Sequence, residues 1–368
     1  AREVSKTLIQ DKIFSFTEIE RTTQNIRDLG LFNSVKTDTQ PIDELNNLYR
    51  LTINVQERKS KTVNLRAGYN SVEGFQGGIE ANAINLFGTA RRIVGRAQLG
   101  TQGTIVETEY AEPRILPRIL GPDAVGVVNL YPFTEYKDYN EKRKGATAGV
   151  SWQFLRLNTF KLDYRYDVLN YTLSDKKSAT RIGRVEALYQ RDGRDNLLNP
   201  KKGTFEGLSF EYANPFIGGI EKFTKLSFNS MFYLRLFDDV VLASGLRTGY
   251  AWNLGGEQTL APELFRMRDY QTPRGYNWEI TDIGNVLLNT SLEIRFNIYK
   301  WIGAAIFFDS GQIFNDISDF TINSMRSSVG GGLRITTPIG PIRLDYGYPI
   351  RGNGKRRYLP EIAFGNSF

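Results

Sequence analysis

The chain has 368 residues, of which 47 are Lys or Arg and 40 are Asp or Glu, so its formal net charge is +7. Cysteine and histidine are absent, which excludes disulfides, the usual thiolate or imidazole metal sites, and Ser-His-Asp or Cys-His catalysis. The charges are scattered rather than concentrated in one element, which disfavours a nucleic-acid partner. With no P-loop and no G-x-S-x-G elbow, the composition predicts a protein that is not an enzyme and has no metal or cofactor.

Residues 1–57 show a mixed pattern. The stretch SFTEIERTTQNIRDLG carries apolar residues at helical intervals from Phe16 to Leu29, and Gly30 stands as a C-terminal stop. FNSVKTDT and NLYRLTINVQE follow, and the second alternates apolar and polar residues as a half-buried strand does. The pattern predicts a small α+β domain over 1–57.

From residue 60 to 368, segments of about ten residues alternate apolar and polar positions between clusters of Gly, Asn, Asp and Pro. In KFTKLSFNSMFYLRLF five apolar residues share one face: Leu226, Phe228, Phe232, Leu234 and Leu236. A soluble β-sandwich also alternates, but a charged face opposite an aromatic-rich face over some 300 residues favours a closed barrel with its apolar face toward lipid. We count about sixteen such segments and predict a mainly β protein with a sixteen-stranded transmembrane antiparallel β-barrel.

The connections between these segments alternate in predicted length. LFGTA, RLNT, LFDD, NIYKW and TPIGP are short, whereas EYKDYNEKRKG, FNDISDFTINSMRS and a stretch of roughly 30 residues around FRMRDYQTPRGYNWEI are long. Short turns on one side and long loops on the other are typical of an outer-membrane barrel. The longest loop is a candidate functional element that folds back into the lumen.

A cationic loop inside the lumen needs anionic partners, and the strands after the loop supply two. Glu293 lies on the polar face of NVLLNTSLEIRFNIY, and Asp309 lies opposite the apolar face of WIGAAIFFDSGQIF. Arg274 is expected to bridge both carboxylates by forked hydrogen bonds. An ordinary surface turn at RGY is the alternative, because the tripeptide alone is common.

Several motifs along the whole chain resemble those of the BamA superfamily of outer-membrane assembly factors. They are NIRDLGLFNSV, NLFGTARR, RDGRDNLLNPKKGT, PRGY, SLEIRF, FFDSGQIF and GGGLRITTPIGPIRLDYGYPI, in that order. The resemblance implies periplasmic POTRA domains before a sixteen-stranded barrel, and a sixth extracellular loop whose (V/I)-R-G-(F/Y) arginine contacts acids on the barrel wall. By this resemblance Arg274, Gly275 and Tyr276 match the motif, and Glu293 and Asp309 match the wall acids.

The sequence departs from the family pattern at Pro273, where Val or Ile is usual. The resemblance also implies that residues 1–57 are a partial POTRA domain, the C-terminal-most of a series, followed by the barrel over 60–368. AREVSKTLIQ reads as the helix that follows the first POTRA strand, so we expect earlier POTRA domains to be missing from this chain.

The function that the resemblance implies is the folding and insertion of β-barrel proteins into the bacterial outer membrane, without nucleotide, with the POTRA domain in the periplasm. The expected partners are unfolded outer-membrane proteins, accessory periplasmic or lipoprotein subunits, and outer-membrane lipid including lipopolysaccharide. A weakly paired seam between the first and last strands would template the incoming strand. We place these strands at Thr62 to Val72 and Tyr358 to Phe368.

Two residues of the seam weaken its pairing in this interpretation. Gly68 lies in the first strand, and Pro360 in the last strand has no N–H to donate to a ladder. The alternative for Pro360 is that it marks the start of the strand. Two other functions stay open: a polypeptide secretion pore like those of two-partner secretion, and the barrel portion of a patatin-like lipase fusion.

Overall fold

The computed structural model of the chain describes residues 15–28, 30–43, 48–70, 74–101, 103–112, 124–136, 140–155, 157–173, 175–253, 261–267, 273–277, 282–338, 340–358 and 360–364. No helix within these residues has the length and apolar character needed to cross a membrane. The predicted helix at AREVSKTLIQ lies outside the described residues.

The described residues between 15 and 57 form one helix and one hairpin. Helix α1 spans Phe16–Asp28, and strands β1 (Phe32–Asp43) and β2 (Leu48–Glu57) pair antiparallel. Ile19 and Ile26 of the helix are buried, as is Val35 of β1, because the apolar stripe of α1 faces this hairpin. The helix and strands that were predicted over 16–57 are therefore present, and their assignment to a POTRA domain remains a prediction.

From residue 61 onward, the described residues form sixteen antiparallel strands in one sheet, as predicted, with a few short accessory strands. The first eight barrel strands are β3 (Lys61–Asn70), β4 (Gly74–Leu86), β5 (Arg91–Gly100), β6 (Gly103–Glu112), β7 (Ala124–Tyr136), β8 (Glu141–Phe154), β9 (Asn158–Leu173) and β10 (Lys176–Asp192). β11 (Gly203–Ala213), β12 (Phe223–Phe237) and β13 (Val240–Asn253) continue the barrel. Three two-residue strands follow, β14 (Phe265–Arg266), β15 (Tyr276–Asn277) and β16 (Ile283–Gly284). The barrel resumes with β17 (Val286–Tyr299), β18 (Ile302–Phe314), β19 (Arg326–Thr337) and β20 (Gly340–Arg351), and after the short β21 (Lys355–Arg356) it ends with β22 (Glu361–Phe364).

Alternation along the strands separates an apolar outer face from a charged lumen. In β12, Leu226, Phe232 and Leu234 are exposed on the outside, as their shared face predicted. In β17, Leu292 is exposed outside, whereas Glu293 is only 1% exposed because it points into the lumen. A barrel with this arrangement presents apolar side chains to lipid and satisfies its charges internally.

The connections agree with the predicted alternation only in part. On the side of the long loops, only two residues separate β5 from β6 and β9 from β10. On the side of the short turns, a ten-residue connection, 193–202, joins β10 to β11. The short turns at 87–90, 238–239 and 300–301 lie where they were predicted.

The predicted long loop EYKDYNEKRKG is wrong, because β7 runs to Tyr136 and β8 begins at Glu141. Glu141 and Arg143 lie in β8 and form ion pairs inside the barrel, so their polarity was misread as a loop signal.

The sheet begins at β3 and ends at β22, and these two strands lie side by side. β22 pairs with β20 through Ile342↔Phe364 to Asp345↔Glu361, but among the described residues no strand pairing joins β22 to β3. Among the described residues, the break in strand pairing therefore lies between β3 and β22, and a functional seam at this place remains a prediction.

Candidate functional site

Arg274 lies in the lumen and donates hydrogen bonds to three acidic residues of the wall. Its Nε and Nη2 atoms donate to Oδ2 and Oδ1 of Asp309 at 2.7 and 2.9 Å, which is the forked geometry of a guanidinium on a carboxylate. Its Nη1 atom donates to Glu293 at 3.0 Å and to Asp345 at 3.1 Å. The guanidinium also lies over the ring of Phe307, 3.3 Å from the ring centroid. The structure thus brings Arg274 together with both wall acids named from the sequence.

The wall around Arg274 carries alternating charges. Arg295 donates to Glu293 at 2.9 Å, Arg334 donates to Glu293 at 3.1 Å, and Arg343 donates to Asp345 at 3.1 Å. Burial would by itself lower the pKa of Arg274, but Asp309, Glu293 and Asp345 hold that pKa well above its ordinary value. The loop arginine is therefore a permanently charged member of a buried ion network.

Close backbone packing seats the RGY segment on β20. Gly275 has a φ of +88°, a left-handed conformation that glycine adopts without strain. A Cβ atom on Gly347 would lie 2.6 Å from the carbonyl carbon of Arg274, so β20 has room for the loop only because this position is glycine. Sequence reasoning did not identify Gly347, although the glycine within the strand sequence LDYGYP signalled a close backbone approach.

The side chain of Tyr276 attaches the RGY segment to the barrel wall through its hydroxyl. Its hydroxyl lies 3.0 Å from the carbonyl oxygen of Ser327 and also within donating distance of the carbonyl oxygen of Arg351. β15 pairs with β21 through Tyr276↔Arg356, so the loop forms a two-residue ladder with the connection that leads to β22. Tyr276 is 3% exposed and needs such a partner for its buried hydroxyl.

The loop segment also reaches the last strand. The backbone N–H of Gly275 donates to Oε1 of Glu361 at 3.4 Å, and the N–H of Arg357 donates to the carbonyl oxygen of Gly275 at 2.8 Å. Glu361 and Asp345 were not among the residues named from the sequence. Asp345 alternates with Ile342, Leu344 and Tyr346 in β20, so the same face argument that found Asp309 would have identified it.

The seam residues named from the sequence fall partly within the structure. Thr62 and Gly68 lie in β3, Pro360 lies directly before β22, and Tyr358 is exposed. Val72 and Phe368 lie outside the described residues. Pro360 therefore occupies the position expected of a residue that precedes the strand, where its missing N–H removes no ladder bond.

Residues 85–367 match the Omp85 superfamily domain. The chain is 26% identical over 97% of its length to an outer membrane protein assembly factor BamA from Neorickettsia risticii, and 22% identical over 92% of its length to one from Neisseria meningitidis. It spans about half of each of these curated relatives, 51% in both cases.

Two solved structures share the fold. A crystal structure of BamA from Haemophilus ducreyi lacking POTRA domains 1–3 superposes with a TM-score of 0.81 at 16% identity and covers 99% of this chain and 81% of its own. CdiB from Escherichia coli superposes with a TM-score of 0.64 at 12% identity and covers 97% of this chain and 72% of its own. With a family match over most of its length and a sixteen-stranded barrel, this chain belongs to the Omp85 superfamily.

Proposed function

We propose that this chain is the membrane part of an outer-membrane protein assembly factor, which folds and inserts other β-barrel proteins through the seam between β3 and β22. The family and the fold indicate a protein of the bacterial outer membrane. In this proposal residues 1–57 are a periplasmic POTRA domain that receives substrates and accessory subunits. The activity needs no nucleotide, since pairing of strands supplies the driving force.

One observation carries the proposal: the barrel is paired everywhere in the described residues except between β3 and β22. β22 is held on β20 by four residue pairs, whereas β9 and β10 pair over sixteen. An unpaired strand edge offers backbone N–H and C=O groups to an incoming strand. In a bilayer such an edge is unstable unless it is paired, so a client strand entering there would gain a full ladder of hydrogen bonds.

The Arg274 network supports the same proposal because it fixes the β22 side of the seam. The loop contacts Glu361 of β22 and Asp345 of β20 and thereby positions the end of the sheet. In this view the loop arginine does not react with anything. It positions the strand edge on which the client pairs.

A seam-locking experiment tests the proposal. The chain has no native cysteine, so one cysteine placed within 63–66 of β3 and one within 361–363 of β22 can be joined by oxidation. Oxidation is expected to lower the rate of client assembly into vesicles at least tenfold, and reduction should restore it. The matched control joins Leu162 and Ala187, a cross-strand pair within the β9–β10 ladder, and should leave the rate unchanged.

The result of locking also separates the alternatives. If the locked protein assembles clients at the full rate, the seam mechanism is wrong. If the locked protein instead releases a polypeptide through its lumen, the secretion-pore interpretation replaces it.

A further inference from the structure

A second charged residue of the inward loop is buried far from Arg274. Glu263 ends a 3₁₀ turn, Ala261–Glu263, and its side chain is 4% exposed. Arg184 of β10 donates to both of its oxygens, from Nη1 to Oε2 at 2.8 Å and from Nη2 to Oε1 at 3.1 Å. Arg143 of β8 donates to Oε1 at 2.8 Å. A carboxylate that receives three charge-assisted hydrogen bonds is strongly held.

The backbone around Glu263 is fastened to the same wall. Lys225 of β12 donates from Nζ to the carbonyl oxygen of Glu263 at 3.2 Å and lies 4.6 Å from the ring centroid of Phe265. Arg266 of the loop donates from Nη2 to Oε2 of Glu141 on β8 at 3.3 Å. These contacts hold the 261–267 segment against strands β8 to β12.

The wall depends on Glu263 for its charge balance. Arg143 and Arg184 share Asp167 of β9, at 3.2 and 2.8 Å from its Oδ2 atom. Removing the Glu263 charge would leave these buried guanidinium groups with fewer anions, and an uncompensated buried charge is costly. The interaction is therefore specific for a carboxylate at this position.

The Glu263 contacts and the Arg274 contacts are separate and have opposite polarity. At Glu263 a loop acid meets wall arginines, whereas at Arg274 a loop arginine meets wall acids. Along the sheet, β11, β12 and β13 lie between β10 and β17. Between the two charged residues, Phe265 and Met267 pack with Ala251 and Leu287 as an apolar cluster. The two described segments of the loop, 261–267 and 273–277, are thus each attached to the wall by their own ion pairs.

The first half of the loop also borders the open space of the lumen. A cavity of about 420 Å³ lies between Pro262 and Arg266 on the loop side and wall residues that include Glu107, Asn129 and Arg165. A displaced loop would merge this cavity with the rest of the lumen and widen the path for ions.

We propose that Glu263 is a second, independent anchor of the inward loop, and that it keeps the lumen narrow by holding the loop on the β8–β12 wall. Within the proposed function, which gives this role its purpose, the anchor lets the seam act on client strands while the lumen stays closed to ions. The role of Glu263 in closing the lumen is itself independent of client assembly.

Ion conductance and hydrogen exchange test this anchor. Glu263→Gln keeps the shape of the side chain and removes its charge, so single-channel conductance in planar bilayers is expected to rise several-fold. Deuterium uptake of the 261–267 segment should become at least tenfold faster, while the 274–277 segment should keep its protection. Glu263→Asp retains the charge, so its conductance should stay close to that of the native protein.

The matched control is Glu109→Gln, which removes a lumen carboxylate that pairs with Arg92 and Arg96 on β5. This variant should leave both conductance and exchange unchanged. If Glu263→Gln behaves as the control does, or if it loosens both loop segments equally, the independent anchor is disproved. If it fails to fold, Arg143→Gln removes one of the three hydrogen bonds and must give a smaller change in the same direction.

Assembly of clients is measured separately on the same variants. A conducting Glu263→Gln protein that still assembles clients supports the anchor and leaves the seam proposal intact. The seam-locked protein tests the seam alone, because locking is expected to stop client assembly and to leave the ion conductance of the barrel unchanged.

Discussion

The backbone N–H of Gly275 donates a hydrogen bond to Glu361, the first residue of the last barrel strand. The same loop segment carries Arg274, which is bonded to β17, β18 and β20. One short piece of the loop therefore contacts the end of the sheet and the wall behind it. Any change that moves Arg274 is therefore expected to displace β22 as well.

Charge reversal at the loop arginine is the first prediction. Arg274→Glu should place a carboxylate beside Asp309, Glu293 and Asp345 and destabilise the folded barrel by about 3–5 kcal/mol, since it breaks a buried ion network. The double variant Arg274→Glu/Asp309→Arg should recover only part of this loss, because Glu293 and Asp345 still repel the new carboxylate. Stability is measured by the temperature at which the barrel loses its folded mobility in SDS gels.

Two outcomes would contradict this contact. The variant Arg274→Gln removes the charge without reversing it, so its loss of stability must be smaller than that of Arg274→Glu. Equal losses in the two variants, or no recovery at all in the double variant when each protein folds, would show that the ion network does not determine the loop position.

A close-approach prediction concerns Gly347. Gly347→Ala should displace the RGY segment, since its Cβ would lie 2.6 Å from the carbonyl carbon of Arg274. Overpacking of this kind costs about 1–3 kcal/mol, and we expect faster deuterium uptake over 274–277. Gly95→Ala is the control, because no atom lies within 4 Å of the position of its Cβ. Equal behaviour of the two variants would refute the close approach.

The hydroxyl of Tyr276 provides a finer test. Tyr276→Phe leaves the carbonyl oxygens of Ser327 and Arg351 without this donor and should destabilise the barrel by about 1–2 kcal/mol. Tyr358→Phe removes a hydroxyl from a side chain that is 73% exposed and should have no measurable effect. The two unfolding temperatures, compared in the same detergent, decide the prediction.

Much of this site was predictable from sequence because strand alternation assigns each residue to a face. Glu293 and Asp309 were predicted to point inward on that basis, and their positions in β17 and β18 follow from a period of two. The sixteen strands were countable for the same reason. Residue 345 obeys the same rule and was overlooked.

Other parts were not predictable because they depend on how the loop meets the wall. The contacts of Glu263 join residues 79 and 120 positions apart in the sequence, with Arg184 and Arg143 respectively. No local pattern encodes such pairs. The full length of β7 and β8 was also missed, since a charged strand end and a polar loop have the same composition.

The pKa of Glu263 leads to a prediction on acid. Burial raises this pKa, but Arg184 and Arg143 lower it more, so that it lies well below its ordinary value of 4.5. A lowered pKa means that the anchor contributes its full stability above pH 4.5 and loses it only as the pH falls through the lower, folded-state pKa. The charged groups that face Glu263 from the wall are Glu141, Arg143, Asp167, Arg184, Glu211 and Lys225.

The ion conductance of the barrel, measured as a function of pH, tests whether the pKa of Glu263 is lowered. The native barrel should remain narrow at pH 4.5 and open only in stronger acid, whereas Glu263→Gln should conduct at every pH. The Glu109→Gln control should follow the native curve. An opening of the native barrel between pH 6 and 5 would contradict the lowered pKa.

The central claim is that the free edge of β3 pairs with a client strand, and contact during assembly tests it most directly. A single cysteine replaces Leu65, which lies on β3 and is 81% exposed, and a client barrel carries one cysteine in its last strand. We expect a disulfide between the two during assembly and none with a cysteine at Leu130 of β7, a strand that is paired on both sides. Equal cross-linking at the two positions, or none at Leu65 while the client still assembles, would contradict the account.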